Sequence, residues 1–342
     1  MQINIIRKIK NIIEINNKIS HAFDRAASSS VYKKVIYWKI KKYTENIVNT
    51  KKYNVIIETT NFCNAKCIMC PQHIMKRKKS FMSDETFFKL IFRLKNENIK
   101  PIVFILNGFG EPLTDIKIFE RIKELKVNFP NSKLKFYTNL GLANDKIIDK
   151  IIDSGIDEIN ISFNGFTKES YEEIMKVDFE KTKDNIEKLV VKRNKNHINL
   201  KIRISMALVS ENEYTVKKFL KEWENKVDSV SVNKIHTYGG SVNNFSVKNR
   251  INFDKLTYPC KYLWNTIVIG VEGDLFICCL DYEGNYNFGN INQSKILDIF
   301  YSDEFRGIRK IHLKNHIKKI KLCSNCYTPY KNGTEWLVKN LY

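Results

Sequence analysis

Short β-branched runs recur along the chain at Asn54–Thr59, Ile102–Leu106, Leu134–Thr138, Glu158–Phe163, Lys201–Leu208 and Ser229–Ile235. Between them apolar residues return at helical spacing over about 83–97, 115–128, 143–153, 167–194 and 212–224. Strands that alternate with helices imply right-handed βαβ units and a parallel sheet. Further on, Thr266–Val271 and Asp274–Cys279 flank Glu272-Gly273, the pattern of a β-hairpin, and a helical segment follows at about 294–313. Before the first strand, Ile5, Ile9 and Ile12 and then Ile36, Ile40, Tyr43 and Ile47 recur at helical spacing, with a break at Ser28-Ser29-Ser30. The expected organisation is a basic helical extension over 1–50, an α/β region over 51–242, and a smaller region over 243–342 entered through a polar link at 243–258.

Composition narrows the class. With 342 residues, 43% hydrophobic and 12% aromatic, the chain has the make-up of a globular protein with a large core. No run of 18 apolar residues occurs, so no membrane span is expected. The net charge of +21 would ordinarily point to nucleic acid. Here the lysines are spread among abundant Ile and Asn with no RNA-binding signature, and nucleic acid is not expected as a partner. The densest basic run, Lys76-Arg77-Lys78-Lys79, reads as a solvated loop before a patch for phosphate or a partner protein. The basic N-terminal helices are expected to pack on the α/β region; peripheral membrane contact through residues 1–50 is the weaker reading. No secretory signal is read before the cysteines, and a reducing cytoplasmic setting is expected.

Three of the eight cysteines stand in Asn61-Phe62-Cys63-Asn64-Ala65-Lys66-Cys67-Ile68-Met69-Cys70, a CxxxCxxC spacing just past the first strand. A cubane iron–sulfur cluster needs a ligand for each of four irons, so three thiolates leave one iron open. Structural zinc wants four closed ligands, and the nearest further donor is His73, in a basic loop. The segment resembles the cluster loop of the radical S-adenosylmethionine (radical SAM) enzymes. That resemblance implies a partial (β/α)6 barrel. It also implies a [4Fe–4S] cluster whose open iron chelates S-adenosylmethionine, cleavage to a 5′-deoxyadenosyl radical, and an electron donor such as flavodoxin or ferredoxin. In parallel β/α architectures functional groups collect at the carboxyl ends of the strands, where Cys63 falls.

The other cysteines are Cys260, Cys278, Cys279, Cys323 and Cys326. Seventeen residues separate Cys260 from Cys278, and 44 separate Cys278 from the Cys323-Ser324-Asn325-Cys326 pair. This region resembles the auxiliary-cluster domain called SPASM and its shorter relative called twitch. No cysteine follows Cys326, which favours twitch with one auxiliary [4Fe–4S] cluster, spaced most like the aminocyclitol dehydrogenases of that type. A four-cysteine zinc ribbon is the bland alternative. Cys278, with four residues between it and Gly273 by the Gly-x4-Cys spacing, is the expected ligand. Adjacent strand residues point to opposite faces, so Cys279 is left as a small buried side chain or a thiol hydrogen-atom donor.

Further residues fit the same resemblance. Gly108-Phe109-Gly110-Glu111-Pro112 is similar to the family's Gly-Gly-Glu-Pro segment, which holds the methionine ammonium of the cofactor. Asn139, and Ser162 and Asn164 of Ser162-Phe163-Asn164-Gly165, match segments that line its ribose and carboxylate. Arg203 and Ser205 share a strand face and are candidates for the carboxylate, a salt bridge being the alternative for Arg203. Met69 stands where the family places a residue near adenine. Asn233 and His236 end the sixth strand as substrate candidates. Asp281 is a candidate base, or a turn acid near Gly284. The implied activity is oxidation of a hydroxyl-bearing carbon on a sugar or cyclitol, with the auxiliary cluster accepting an electron. Epimerisation through Cys279 and modification of a ribosomal peptide are the alternatives.

Overall fold

The structure is a computed structural model and describes residues 30–242 and 259–326 together with Thr328. The helix expected around Ile5, Ile9 and Ile12 and the polar link at 243–258 lie outside the described residues. The strands are β1 (Lys52–Ile57), β2 (Lys100–Ile105), β3 (Lys133–Thr138), β4 (Glu158–Ser162), β5 (Lys201–Leu208), β6 (Ser229–Lys234), β7 (Thr266–Ile269), β8 (Asp274–Phe276) and β9 (Asn287–Asn290). The helices are α1 (Ser30–Thr50), α2 (Asp84–Asn96), α3 (Ile118–Asn128), α4 (Asp145–Asp153), α5 (Lys168–Met175), α6 (Phe179–Lys195), α7 (Val216–Trp223), α8 (Tyr262–Asn265), α9 (Ile296–Phe300), α10 (Asp303–Leu313) and α11 (Lys321–Ser324).

All nine strands join one sheet in the order β6-β5-β4-β3-β2-β1-β7-β8-β9. Strands β1 to β6 run parallel, as the strand–helix alternation predicts, and β7 adds a further parallel strand against β1. The hairpin β7–β8 and then β9 continue the sheet antiparallel. This is the expected α/β architecture: a partial barrel, a C-terminal hairpin with helices, and an N-terminal helix.

The two faces of the sheet differ sharply. Phe104, Leu134, Phe136, Ile159, Ile161, Ile202 and Ile204 turn outward into the main core, beneath Leu90, Ile148, Leu189 and Phe219 of the covering helices. Period-two alternation sends their neighbours Lys135, Glu158, Asn160 and Arg203 to the opposite, inner face. At the β1–β7 end that inner face is apolar, with Ile56, Val268 and Phe276 packed together and Ile105 and Cys279 against them. Helix α1 lays Ile36, Ile40 and Ile47 into the main core, the packing expected of its apolar stripe.

Three expectations change. The helix expected over 167–194 is two, because Lys176 closes α5 in the left-handed conformation at φ 57° and Asp178 starts α6 by accepting Lys181 N–H. The segment over 294–313 also divides, where Ser302 caps α10 by accepting Phe305 N–H. Strand β8 stops at Phe276, so Cys278 and Cys279 sit in the turn beyond it, where strand alternation no longer assigns their faces.

Candidate active site

The cysteine triplet begins six residues past β1 and is fastened on two sides. Ile68 N–H donates to Ile174 O at 3.0 Å and Lys66 N–H to Met175 O at 3.2 Å, so the loop hangs on the last turn of α5. Buried Asn61 holds the other side: its Nδ2 donates to Lys78 O at 2.8 Å, its Oδ1 accepts Ser80 N–H at 2.6 Å, and its carbonyl accepts Gln72 Nε2 at 2.9 Å. The Cys63 Sγ accepts Ala65 N–H at 3.4 Å, and Cys67 Sγ lies 3.4 Å from the Met175 sulfur. Burial pushes the Cys63 thiol up to about 12 and raises Cys67 and Cys70 as well, with the neighbouring thiols adding to the rise at Cys67. Three half-buried, mutually repelling thiolates are costly on their own. Cationic iron supplies the charge that would stabilise them, so this set fits a cluster.

Glu111 stands beside the triplet. Gly110 lets the turn press against the loop, since a Cβ there would come within 2.2 Å of Thr60 O, and Glu111 N–H donates to Phe62 O at 2.8 Å. At Gly108 a Cβ would meet Glu58 at 2.3 Å, so both glycines of Gly-Phe-Gly are needed. Pro112 opens a buried 3-10 turn that Glu111 caps through Leu113 N–H. The carboxylate also accepts Thr138 Oγ1 at 2.6 Å and Asn139 N–H at 2.8 Å. Its described partners are a hydroxyl and two N–H groups, none charged, and burial raises it to about 7. A buried acid in this state fits an ammonium ligand, which would return it to the ionised form.

Other candidates are brought to the same ring. Asn139 exchanges hydrogen bonds with Asn64 of the cysteine loop, donating from Nδ2 at 2.9 Å. Asn164 accepts Ala207 N–H at 2.7 Å and donates to the Met175 sulfur at 2.9 Å, which links β4, β5 and α5 under Cys67. Ser162 ends β4 opposite Ser205, and Met69 is buried in the main core. Arg203 stands apart from this ring. Its Nε bonds Glu158 at 3.0 Å on the inner face, because it pairs with Asn160 and so falls short of the strand ends. Asn233 Nδ2 donates to Ser231 Oγ, and His236 lies beyond β6 with its ring 6.2 Å from that of Tyr238.

The second cysteine set closes the inner face from the opposite side. Cys278 Sγ accepts Leu280 N–H at 3.4 Å, the same two-residue geometry as Cys63. Burial raises Cys278, with Cys279, Cys323 and Cys326 near enough to raise it further, and it pushes Cys279 up to about 11 and Cys323 up to about 12. Cys260 N–H donates to the Nδ1 of fully buried His312 at 3.3 Å. The CxxC turn is tied to the end of β6, where Thr237 Oγ1 donates to Asn325 O at 2.6 Å. Among the described residues no three His, Cys, Asp or Glu side chains crowd together as one metal ion needs. The donors of the second set are all thiols, which fits an iron–sulfur cluster.

Against the second set lies an open cleft, lined by Ile56, Glu58, Arg77, Phe109, Cys279 and Asp281 among others. Asp281 is buried, and its two oxygens accept Asn285 N–H at 3.0 Å and Tyr286 N–H at 2.8 Å, which shapes the turn as well as the cleft wall. Burial raises its carboxyl above the usual range, against those hydrogen bonds.

Sequence reasoning missed Glu58, Arg77 and Met175. Arg77 is not part of a solvated loop: its NH1 and NH2 bind Glu58 at 2.5 and 2.8 Å and its Nε donates to Tyr282 O at 3.2 Å. Lys76 and Arg77 N–H groups also donate to the Glu283 carboxylate. The signal was available in Glu58, a lone acid at the end of an apolar strand, which needs a buried cation.

Residues 57–222 match the family model described as the Radical SAM superfamily, and residues 260–327 match SPASM, described as an iron-sulfur cluster-binding domain. The S-adenosyl-L-methionine-dependent 2-deoxy-scyllo-inosamine dehydrogenase of Niallia circulans is 22% identical over 278 residues, spanning 79% of this chain and 90% of that protein. The fold is similar to that of BtrN in complex with AdoMet and 2-DOIA, at TM-score 0.55 and 19% identity over 80% of this chain and 92% of the other. It is similar also to Streptococcus suis SuiB bound to precursor peptide SuiA, at TM-score 0.60 and 16% identity over 84% of this chain and 75% of the other. At these identities the structural likeness speaks for the fold.

Proposed function

We propose that this chain, a radical SAM enzyme with a SPASM-type iron–sulfur region, oxidises a hydroxyl-bearing carbon on a sugar- or cyclitol-like molecule. The observation that carries this reading is the cleft in which Gly108 and Phe109, of the turn that leads to Glu111, meet Cys278, Cys279 and Asp281 of the second set. Cys63, Cys67 and Cys70 would hold the cluster that leaves an iron for S-adenosylmethionine, and Cys260, Cys278, Cys323 and Cys326 the auxiliary cluster. When bound, these groups supply hydrogen-atom abstraction from the substrate and an acceptor for the electron that oxidation releases. Glu111 would hold the cofactor's ammonium, with Gly108, Gly110 and Pro112 fixing the turn around it and Asn139, Ser162 and Asn164 lining the neighbouring strand ends. Asp281, fixed by two backbone N–H groups at the cleft wall, would take the hydroxyl proton. Phe109, whose ring stands 5.8 Å from Tyr238 and 5.9 Å from Tyr282, helps exclude water from the cleft. An electron donor such as flavodoxin or ferredoxin would serve the triplet, in the reducing cytoplasm that free thiols suit.

The oxidation predicts one S-adenosylmethionine consumed per oxidised product. Unoxidised product carrying solvent deuterium at the attacked carbon would overturn it. A second reading, epimerisation, is favoured by one observation. Cys279 lines the cleft, and burial pushes its thiol up to about 11. If Cys279→Ala leaves turnover unchanged, epimerisation through this thiol is excluded.

A further inference from the structure

The inner face of the sheet carries a charged cluster that neither cysteine set uses. Lys135 pairs with Glu158 across β3–β4, and Asn160 pairs with Arg203 across β4–β5, which brings the four side chains together on one face. Glu158 is occupied on both oxygens. Its Oε2 accepts Arg203 Nε at 3.0 Å, its Oε1 accepts Asn160 Nδ2 at 2.9 Å, and Lys135 Nζ lies 3.8 Å from Oε1. Arg203 NH1 reaches on to Ser229 Oγ at 3.5 Å.

Two cations thus share one carboxylate, and the cluster keeps a net positive charge. A structural ion pair needs only one of them. The remaining capacity is all donor, because a lysine offers three N–H groups and an arginine five, with no acceptor on either. The Arg203 side chain is 48% exposed, so the ion pair does not seal its guanidinium from solvent or a ligand. Asn107 joins this cluster to the cleft: it lines the cleft and binds the backbone of Tyr137, whose ring lies 5.9 Å from Lys135 Nζ.

We propose that Lys135 and Arg203 anchor an oxyanion, phosphate or carboxylate, on the substrate. Lys135 lies three residues before the end of β3, the end at which the cysteine triplet and Glu111 stand. That is about 10 Å of strand, a span that a sugar-sized molecule fills with its anion held low and a hydroxyl-bearing carbon raised towards the triplet. This rests on the oxidation reading above and narrows its substrate class to anionic polyols.

The test is calorimetric binding to the anaerobically reconstituted holoenzyme, comparing glucose 6-phosphate, glucuronate and glucose at one ionic strength. At least one anion should bind tenfold or more tightly than glucose, and which one does identifies the group. Arg203→Gln and Lys135→Gln should each weaken that binding about tenfold, Arg203→Lys less so, while circular dichroism reports retained fold. Equal binding of all three probes overturns the proposal, as does an Arg203→Gln variant that loses affinity for S-adenosylmethionine and not for the anion. Dithionite-driven cleavage of S-adenosylmethionine by the wild-type protein tests the radical reading separately. An enzyme that cleaves but shows no anion preference refutes only the anchor.

Discussion

Burial sets the protonation of Glu111, and the sign of its pH dependence follows. Its carboxyl is raised to about 7 by desolvation, so it is increasingly protonated, and neutral, as the pH falls below that value. An ammonium ligand needs the ionised form. Affinity for S-adenosylmethionine should therefore fall as the pH drops from 7 to 6, by up to about tenfold per unit, and calorimetry across that range checks it. Glu111→Gln should bind weakly throughout and lose the slope; a variant that keeps the wild-type slope shows that another group titrates. Each cysteine set has a similarly direct test. Cys67→Ala should lower the iron content from about eight to about four per chain, as expected for two four-iron clusters, while the auxiliary cluster keeps its absorbance. Unchanged iron would place the cluster elsewhere. At this scale, the cysteines and Glu111 were legible because spacing carries them. Arg77 was not, because a lysine-rich run hides the one member whose partner is buried.

Helix α5 shows how an ordinary element serves the site. Thr167 and Ser170 form a capping box at its start, and its last carbonyls, from Ile174 and Met175, receive the N–H groups of Ile68 and Lys66 in the cysteine loop. Thr167→Ala should cost about 1 kcal/mol of stability. It should also speed loss of the triplet's cluster to a chelator, because fraying of α5 loosens the loop's attachment. Urea titration and the rate of bleaching measure the two effects, and normal bleaching in a destabilised variant would detach helix from loop. The alternating strands and helices around α5 were legible from hydrophobic periodicity. The break between α5 and α6 was not, since it turns on Lys176 adopting a left-handed conformation usually left to glycine or asparagine. Strand β9 was missed for a related reason: Asn287-Phe288-Gly289-Asn290 has too little alternation to announce a strand, and only pairing with β8 makes it one.

Across the whole molecule, the two cysteine regions are joined through one buried ion pair. Glu58 follows β1, Arg77 follows the triplet, and Arg77 also binds Tyr282 O while its loop donates to Glu283, just past Cys278 and Cys279. Glu58 further accepts Phe109 N–H at 2.9 Å, which fixes the turn leading to Glu111. The Glu58 side chain is 4% exposed and that of Arg77 15%, so removing one partner strands a buried charge. Arg77→Met or Glu58→Leu alone should cost about 3–5 kcal/mol, whereas the two combined should recover most of that, because a buried pair adds little over apolar packing. Denaturant titrations of the four proteins close the cycle. The combined variant then separates stability from coupling. If the pair serves to hold the cofactor turn and the auxiliary region in register, that variant should keep its iron yet release more 5′-deoxyadenosine per oxidised product than the wild type. A recovered fold with wild-type stoichiometry would show that the ion pair stabilises the junction and does nothing to align the two halves of the site.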